Sequence, residues 1–475
     1  MVSSSINKTV THSISICIPA YNEEKTIERT IDSIQKQLNC EIKEILICNN
    51  GSTDNTQKVI KEILKKSTIP ITILKLPSPS KSAAWNILFA KAKHTNIVFC
   101  DADVILHPFC ISKLLIENHH TIVGARCVPI YYDDSVLTKL VNYQIEQPYL
   151  VGRCYLVNKE KLKECFSKKK VKEMPEIIGD DIWLQRQVSN YRTVNHSKVY
   201  FRAIPFKEYG TYMKRHKQTR KESGSTLIQT LTTILRNIHH PRRITKFVTG
   251  RLLARSRILF QTNQKKRWER PETRNLGDKK QKVFVIGLSK TGTMSMTHWF
   301  RKTGYLAIHY KDTLDLLSIK NNKIICNPKV ASVFDALSDT PVAHYFKEIY
   351  QEYPNAKFIY LTRNKEKWLE SCQKHFTKGH YKVSNIIRKT FNVEVYGSKI
   401  FNRQKFSNTY DQHHTKVMTF FKDKQKQFIS VDLSNKDAKN KIATFLQLKH
   451  THQIPVRNKK TDINVIWGRL KQWLA

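Results

Sequence analysis

Two aspartates one residue apart, Asp101 and Asp103, follow the apolar run Ile97–Cys100. Carboxylates at that spacing can both reach one hard divalent cation, and such a cation can bridge and neutralise a pair of phosphates. Two more polar stretches close apolar runs upstream. Pro19-Ala20-Tyr21-Asn22-Glu23 ends the run from Ser13, and Asn49-Asn50-Gly51-Ser52-Thr53-Asp54 ends Ile45–Cys48. Glycine at position 51 lets the backbone come close to a flat ligand. Further on, Gly179-Asp180-Asp181-Ile182-Trp183-Leu184 offers paired carboxylates. A carboxylate there can take the proton of an attacking hydroxyl, or it can simply cap a helix.

The C-terminal half carries a different chemistry, built on cations and amides. Gly287-Leu288-Ser289-Lys290-Thr291-Gly292-Thr293-Met294-Ser295 joins a strand-like run to a helical pattern. Small residues leading into a helix N-terminus present N–H groups and a favourable dipole to an anion. Lys290 stands before Thr291-Gly292, whereas the NTPase loop needs its lysine directly after the second glycine. Thr362-Arg363 closes another strand-like run, and Ser371 lies eight positions beyond Arg363. An arginine offers a fork of donors to phosphate, and a serine on the following helix can add a hydroxyl.

Positioning these groups requires alternating strands and helices. The pattern predicts strands at Ser13–Pro19, Ile45–Cys48, Ile71–Lys75 and Ile97–Cys100, with helices at Glu24–Leu38, Thr53–Lys65 and Lys81–Ala92 between them. Such alternation implies a parallel sheet, with ligands at the carboxyl ends of its strands. The alternation restarts with Val283–Ile286, a helix from Thr293, a strand at Ala356–Leu361, a helix at Lys365–Lys374 and a strand at Phe428–Asp432. Between the two halves, Leu227, Ile228, Leu231, Ile234, Leu235 and Ile238 recur at helical spacing before an Arg- and Lys-rich run. This predicts a basic amphipathic connector, packed on the first domain or laid on a membrane surface. The fold class is therefore α/β, with domains over 1–224 and 281–475 and the connector over 225–280.

The first half resembles the family 2 glycosyltransferases of the GT-A fold, on IPAYNEEKTIERTIDSI, CNNGSTDNT, SKSAAWNILFAKAKHTNIVFCDADV and GDDIWL. The resemblance covers roughly 13–224. It implies inverting transfer of a sugar from a nucleotide diphosphate, UDP favoured, to an acceptor hydroxyl, with Mn2+ or Mg2+. Tyr21 and Asn50 would flank the base, Asp54 would buttress that loop, and Lys81 and Asn86 would line the donor site. Asp101 and Asp103 would serve the ribose and the metal, and Asp181, beside Asp180, would be the general base. Asn50 stands where the family often has Asp, and the Gln-x-x-Arg-Trp signature of processive synthases is absent. A non-processive enzyme is expected.

The second half, over about 282–448, is similar to P-loop sulfotransferases, on FVIGLSKTGTMSM and DALSDTPVAHYFKEIYQEYPNAKFIYLTRNKEKWLESC. This resemblance implies 3′-phosphoadenosine 5′-phosphosulfate as donor. Ser289, Lys290, Thr291, Gly292, Thr293 and Met294 would hold its 5′-phosphosulfate, and Arg363 and Ser371 its 3′-phosphate. Asp335, Asp339, His309 and His344 are candidates for the catalytic base, Asp339 foremost. The alternative is a non-catalytic module that senses a nucleotide.

Lys and Arg number 82 against 39 Asp and Glu, a formal charge of +43. That surface suits phosphorylated donors, acidic glycans or an anionic membrane face. No nucleic-acid motif accompanies the charge, so no specific nucleic-acid partner is expected. The acceptor expected is a glycan or glycolipid. Ten cysteines occur without a CxxC pair, and Cys17, Cys48 and Cys100 fall inside apolar runs, as reduced buried thiols do. No apolar run is long enough to cross a bilayer, and the polar opening is unlike a signal peptide, so a cytoplasmic protein, at most peripheral to a membrane, is expected.

Overall fold

Short runs rich in Ile and Val, buried on both faces, form the strands that carry the candidate residues. The structure is a computed structural model and describes residues 13–132, 138–139, 152–177, 180–205, 279–321, 323–376, 386–448 and 453–454. The chain divides into two compact units, Met1–Asp278 and Lys279–Ala475. The connector expected over 225–280 lies outside the described residues except for its last two positions.

The strands of the first unit are β1 (Ser13–Ala20), β2 (Glu41–Asn50), β3 (Ile71–Leu76), β4 (Asn96–Cys100), β5 (Ile105–Leu106), β6 (Ile122–Ile130), β7 (Cys154–Asn158) and β8 (Tyr191–Arg202). They make one sheet in the order β3-β2-β1-β4-β7-β6-β8-β5. Strands β1 to β4 are parallel, as their alternation with helices requires. Helices α1 (Ile27–Gln35), α2 (Thr56–Lys66) and α3 (Lys81–Lys91) fill the crossovers. Ile16, Ile18, Ile45, Ile47 and Val98 form a core on one face, and Cys17, Leu46, Cys48, Trp85 and Phe99 form another on the opposite face. Two-sided burial is why these strands read as unbroken apolar runs. All ten cysteines are free thiols.

Beyond β4 the sheet departs from the expected parallel arrangement. Strand β7 runs antiparallel to β4, pairing Cys100 with Cys154, and Asp101 N–H donates to the Arg153 carbonyl at 2.8 Å. Strand β7 therefore begins where β4 ends, and this puts residues 152–154 beside the Asp101–Asp103 turn. The same turn is clamped from the other side. The Thr30 hydroxyl of α1 lies 2.9 Å from the Ala102 carbonyl and 2.8 Å from that of Val104.

In the second unit, β9 (Val283–Val285), β10 (Ala307–Ile308), β13 (Ala336–Ser338), β14 (Lys357–Thr362) and β15 (Phe428–Asp432) form a parallel sheet in the order β10-β13-β9-β14-β15. A separate antiparallel hairpin joins β11 (Leu317–Lys320) and β12 (Lys323–Cys326). Helix α4 (Thr293–Lys302) follows β9, and α5 (Lys365–Phe376) follows β14. Trp299, Phe300, Ile359 and Leu361 are buried in the core. With β9 at the centre, the loops after β13, β9 and β14 open side by side. Among the described residues no helix is long and apolar enough to cross a membrane.

Gly287 sits at the tightest point of this arrangement. A Cβ there would meet Thr291 Oγ1 at 2.5 Å, Leu361 Cβ at 2.7 Å and the Leu361 carbonyl oxygen at 2.8 Å. The last of these is backbone within a paired strand and cannot swing aside. Gly287→Ala should cost about 1–3 kcal/mol, the usual range for overpacking. Calorimetry on the full chain should show the second unit's transition lowered by several degrees and the first unit's unmoved.

Candidate functional site

In the first unit three loops converge at the strand ends. Gly51 has φ +70°, and a Cβ there would lie 2.9 Å from both Pro79 N and Ser78 C, so only glycine lets these loops touch. The Asn50 side-chain oxygen accepts from Ser80 N–H at 2.7 Å. Ser80 in turn caps α3 by accepting from Ala83 N–H at 3.1 Å, and this fixes Lys81 in the first turn of that helix. Asp54 binds Glu24 N–H at 3.2 Å and Thr56 N–H at 2.9 Å, tying the loop after β2 to the loop after β1. Asn22, at φ 54°, joins the same network through Thr53 N–H at 2.8 Å. Tyr21 lies half-buried at the head of this loop.

Lys81 is the hub. Its ammonium lies 3.4 Å from Asp101 Oδ1 and 3.2 Å from Asp180 Oδ1. Enclosure by protein works against its charge, but Asp101, Asp180 and Asp181 more than offset that and hold its pKa above the ordinary lysine value. Asp101 titrates above the usual carboxylate range. Burial is the main cause, Lys81 opposes it, and the neighbouring Asp103 adds to it. Asp181 Oδ2 accepts from Gly152 N–H at 3.2 Å, and a Cβ on Gly152 would press on Asp181 Cβ at 2.9 Å. The pair at 180 and 181 does begin a helix, Asp180–Gln187, so both carboxylates stand in its first turn, where the helix dipole favours them. Asn86 holds the Met174 backbone: its amide donates to the Met174 carbonyl at 2.8 Å and accepts from Met174 N–H at 3.0 Å. Arg153, which carries no motif, stands beside Asp103 with Nη1 at 3.8 Å from Oδ1.

The loop of the second unit is made anion-seeking by what happens to its carbonyls. That of Ile286 contacts His413 Nε2 at 2.9 Å, and that of Leu288 accepts from the Thr291 hydroxyl at 2.7 Å. Trp368 Nε1 donates to the Ser289 carbonyl and Arg363 Nη1 to that of Lys290, both at 2.9 Å. The Gly292 carbonyl accepts from Met296 N–H at 3.1 Å, in the first turn of α4. With its oxygens engaged from behind, the loop is left with donors to offer. Lys290 at φ 74° and Gly292 at φ 108° supply the two left-handed turns this needs. Arg363 and Lys290, distant in sequence, are in direct contact. Ser371 lies half-buried on α5, while Met294 is exposed at the mouth of the loop.

Asp339 and His309 also meet here. Asp339 Oδ1 accepts from the Ser289 hydroxyl at 2.6 Å and from Thr340 N–H at 2.7 Å. Its other oxygen lies 3.2 Å from His309 Nε2, which is also 3.2 Å from the Thr293 hydroxyl. Burial lowers the His309 pKa, against the opposing pull of Asp339. Asp339 is itself held at φ 85°, a costly backbone for a non-glycine residue. His344 belongs to a different contact, 3.2 Å from Glu394. Asp335 binds Leu306 N–H at 2.7 Å and bridges strand ends far from the loop's mouth.

Residues 15–164 match the family model for glycosyl transferase family 2, and residues 282–463 match that for a sulfotransferase domain. The chain joins a family 2 glycosyltransferase domain to a sulfotransferase domain. The chain is 36% identical over 104 residues to a chondroitin synthase of Pasteurella multocida, covering 22% of this chain and 11% of that protein. It is 35% identical over 108 residues to a glucosyl-3-phosphoglycerate synthase of Mycobacterium tuberculosis, covering 22% of this chain and 32% of that protein. The chain thus spans a third or less of the length of these relatives. Among solved structures, a mannosyltransferase of Pyrobaculum calidifontis in complex with GDP-Man and Mn2+ has a TM-score of 0.37 at 16% identity, over 52% of this chain and 76% of that one.

His413 makes the sulfotransferase domain sensitive to acid. Burial is the main cause of its pKa falling from 6.5 to about 4, against the opposing bond to Ile286. The folded domain refuses a proton that the unfolded chain accepts below about pH 6.5, so stability drops as pH falls from there to about 4. The loss reaches on the order of 3 kcal/mol at the low end. His413→Gln keeps a donor for the Ile286 carbonyl and should flatten this slope in urea unfolding followed between pH 7 and 4.5.

Proposed function

We propose that the first domain transfers a sugar from a nucleoside diphosphate sugar, UDP-sugar favoured, to an acceptor hydroxyl with inversion. The second transfers a sulfuryl group from 3′-phosphoadenosine 5′-phosphosulfate to a hydroxyl of a glycan or glycolipid. The observation that carries this reading is convergence: residues 81, 101 and 180 meet in one domain, and residues 290, 339 and 363 in the other.

In the first domain Asp101 and Asp103 offer a hard, all-oxygen donor set on one turn, which fits Mn2+ or Mg2+. When bound, the ion neutralises the diphosphate. Asp181 takes the proton of the acceptor hydroxyl as its oxygen attacks the anomeric carbon from the face opposite the leaving diphosphate. Gly152 N–H fixes the direction of that carboxylate. Lys81 lies between the donor carboxylate and the Asp180–Asp181 pair, where it can follow charge developing on either side.

In the second domain the acceptor oxygen attacks sulfur, the bond from sulfur to the phosphate oxygen breaks, and 3′-phosphoadenosine 5′-phosphate leaves. Lys290 and the loop amides meet the charge gathering on the leaving phosphate. Asp339 was the foremost candidate for the base from sequence, but Ser289, Thr340 and His309 surround its carboxylate. His309 therefore takes the proton. Burial keeps its imidazole neutral, and Nε2–H donated to Asp339 leaves Nδ1 as the basic nitrogen.

Radiolabelled donors supply the test. Asp181→Asn should lower sugar transfer about 10²–10⁴-fold, the usual contribution of a general base, and leave sulfation of a pre-glycosylated acceptor intact. Calorimetry with 3′-phosphoadenosine 5′-phosphate should give micromolar binding that Arg363→Ala weakens roughly ten- to a hundredfold, as loss of a charged hydrogen bond does. Binding without sulfuryl transfer to any hydroxyl would make the second domain a nucleotide sensor instead.

A further inference from the structure

Arg153 is built into the cation site. Its backbone carbonyl accepts from Asp101 N–H at 2.8 Å, and its guanidinium lies over the Phe201 ring, 4.1 Å from the centroid. Nη1 stands 3.8 Å from Asp103 Oδ1, and the two side chains are only 11% and 4% exposed. Held at both ends and shielded from water, this contact differs from the weak pairs of a solvated surface. A divalent ion on Asp103 would sit about 2.0–2.6 Å from the same carboxylate, too close to a fixed guanidinium for the two cations to ignore each other.

We propose that Arg153 is the resident counter-cation of Asp103 and competes with the divalent ion for that carboxylate. It is a positioning residue that sets metal affinity. The inference rests on the reading of Asp101 and Asp103 as the cation site. It has a consequence for the order of events. Lys81 stands on Asp101 and Arg153 beside Asp103, so a divalent ion alone must share each of these carboxylates with a cation already there. A nucleoside diphosphate adds negative charge beside both cations and relieves the repulsion, so nucleotide and metal bind with positive coupling.

Mn2+ binding to the full-length protein, followed by the electron paramagnetic resonance signal of the free ion with and without UDP, tests this without any turnover. Arg153→Met keeps a stem over Phe201 and removes the charge, and Arg153→Gln removes it with a polar end. Either should tighten binding of Mn2+ alone about tenfold, the lower end of what neighbours of metal ligands contribute. The gain from adding UDP should shrink by the same factor, and Arg153→Lys should keep the weak, strongly UDP-dependent binding of the unaltered protein. Circular dichroism identifies any variant that fails to fold. Unchanged or weaker Mn2+ binding in the folded Met or Gln variant, with binding still lost in Asp103→Asn, overturns the role of Arg153 alone. Mn2+ binding that survives Asp103→Asn, or is absent from every variant with UDP present, overturns the cation-site reading itself.

Discussion

Lys81 lies within 3.4 Å of Asp101 and 3.2 Å of Asp180, and without it the first site would be a cluster of carboxylates repelling one another. At least four acidic side chains, at 101, 103, 180 and 181, gather where β4, the 152–154 turn and the helix at 180 meet. Concentrating negative charge in a poorly hydrated place is costly unless cations come with it. Here both cations are delivered by backbone devices: the Ser80 cap for Lys81, and the Asp101–Arg153 ladder bond for Arg153. The sheet, the caps and the Gly51 contact are the means by which that compensation is held in place.

The second domain solves the mirror problem. It brings two basic residues, Lys290 and Arg363, together through a backbone carbonyl. Arg363 rests on a carbonyl, a weaker partner than a carboxylate, so on the proposed reading its guanidinium would turn to a phosphate at modest cost. The buried carboxylate of Asp339 nearby is turned to hydroxyls, an amide and His309. The two domains thus oppose each other electrostatically although both exploit the carboxyl ends of parallel strands.

Much of this was legible in the sequence because strand ends announce themselves. Asp101 and Gly287 directly follow an apolar run, Arg363 and Gly51 come one and two residues later, and parallel strands align their ends. Phe428–Asp432 was found residue for residue, and the helix expected at Lys81–Ala92 differs by one position. What was hidden depended on pairing direction and on residues with no pattern of their own. An antiparallel β7 has no distinct signature, so Arg153 could not be assigned to Asp103. Asn86, a lining residue by the family resemblance alone, holds the Met174 backbone, a contact that no spacing announces. The His309–Asp339 contact needed β10 and β13 to be neighbours, which no local spacing reveals. Trp368 and His413 serve backbone carbonyls, a role that leaves no trace in residue spacing.

The bond from Arg363 to the Lys290 carbonyl means that these two basic residues are not separate energetic entities. Trimming the guanidinium loosens the peptide that carries the lysine, and altering the lysine's left-handed turn moves the carbonyl on which the guanidinium rests. Free-energy losses from changing each residue alone would therefore overlap instead of summing.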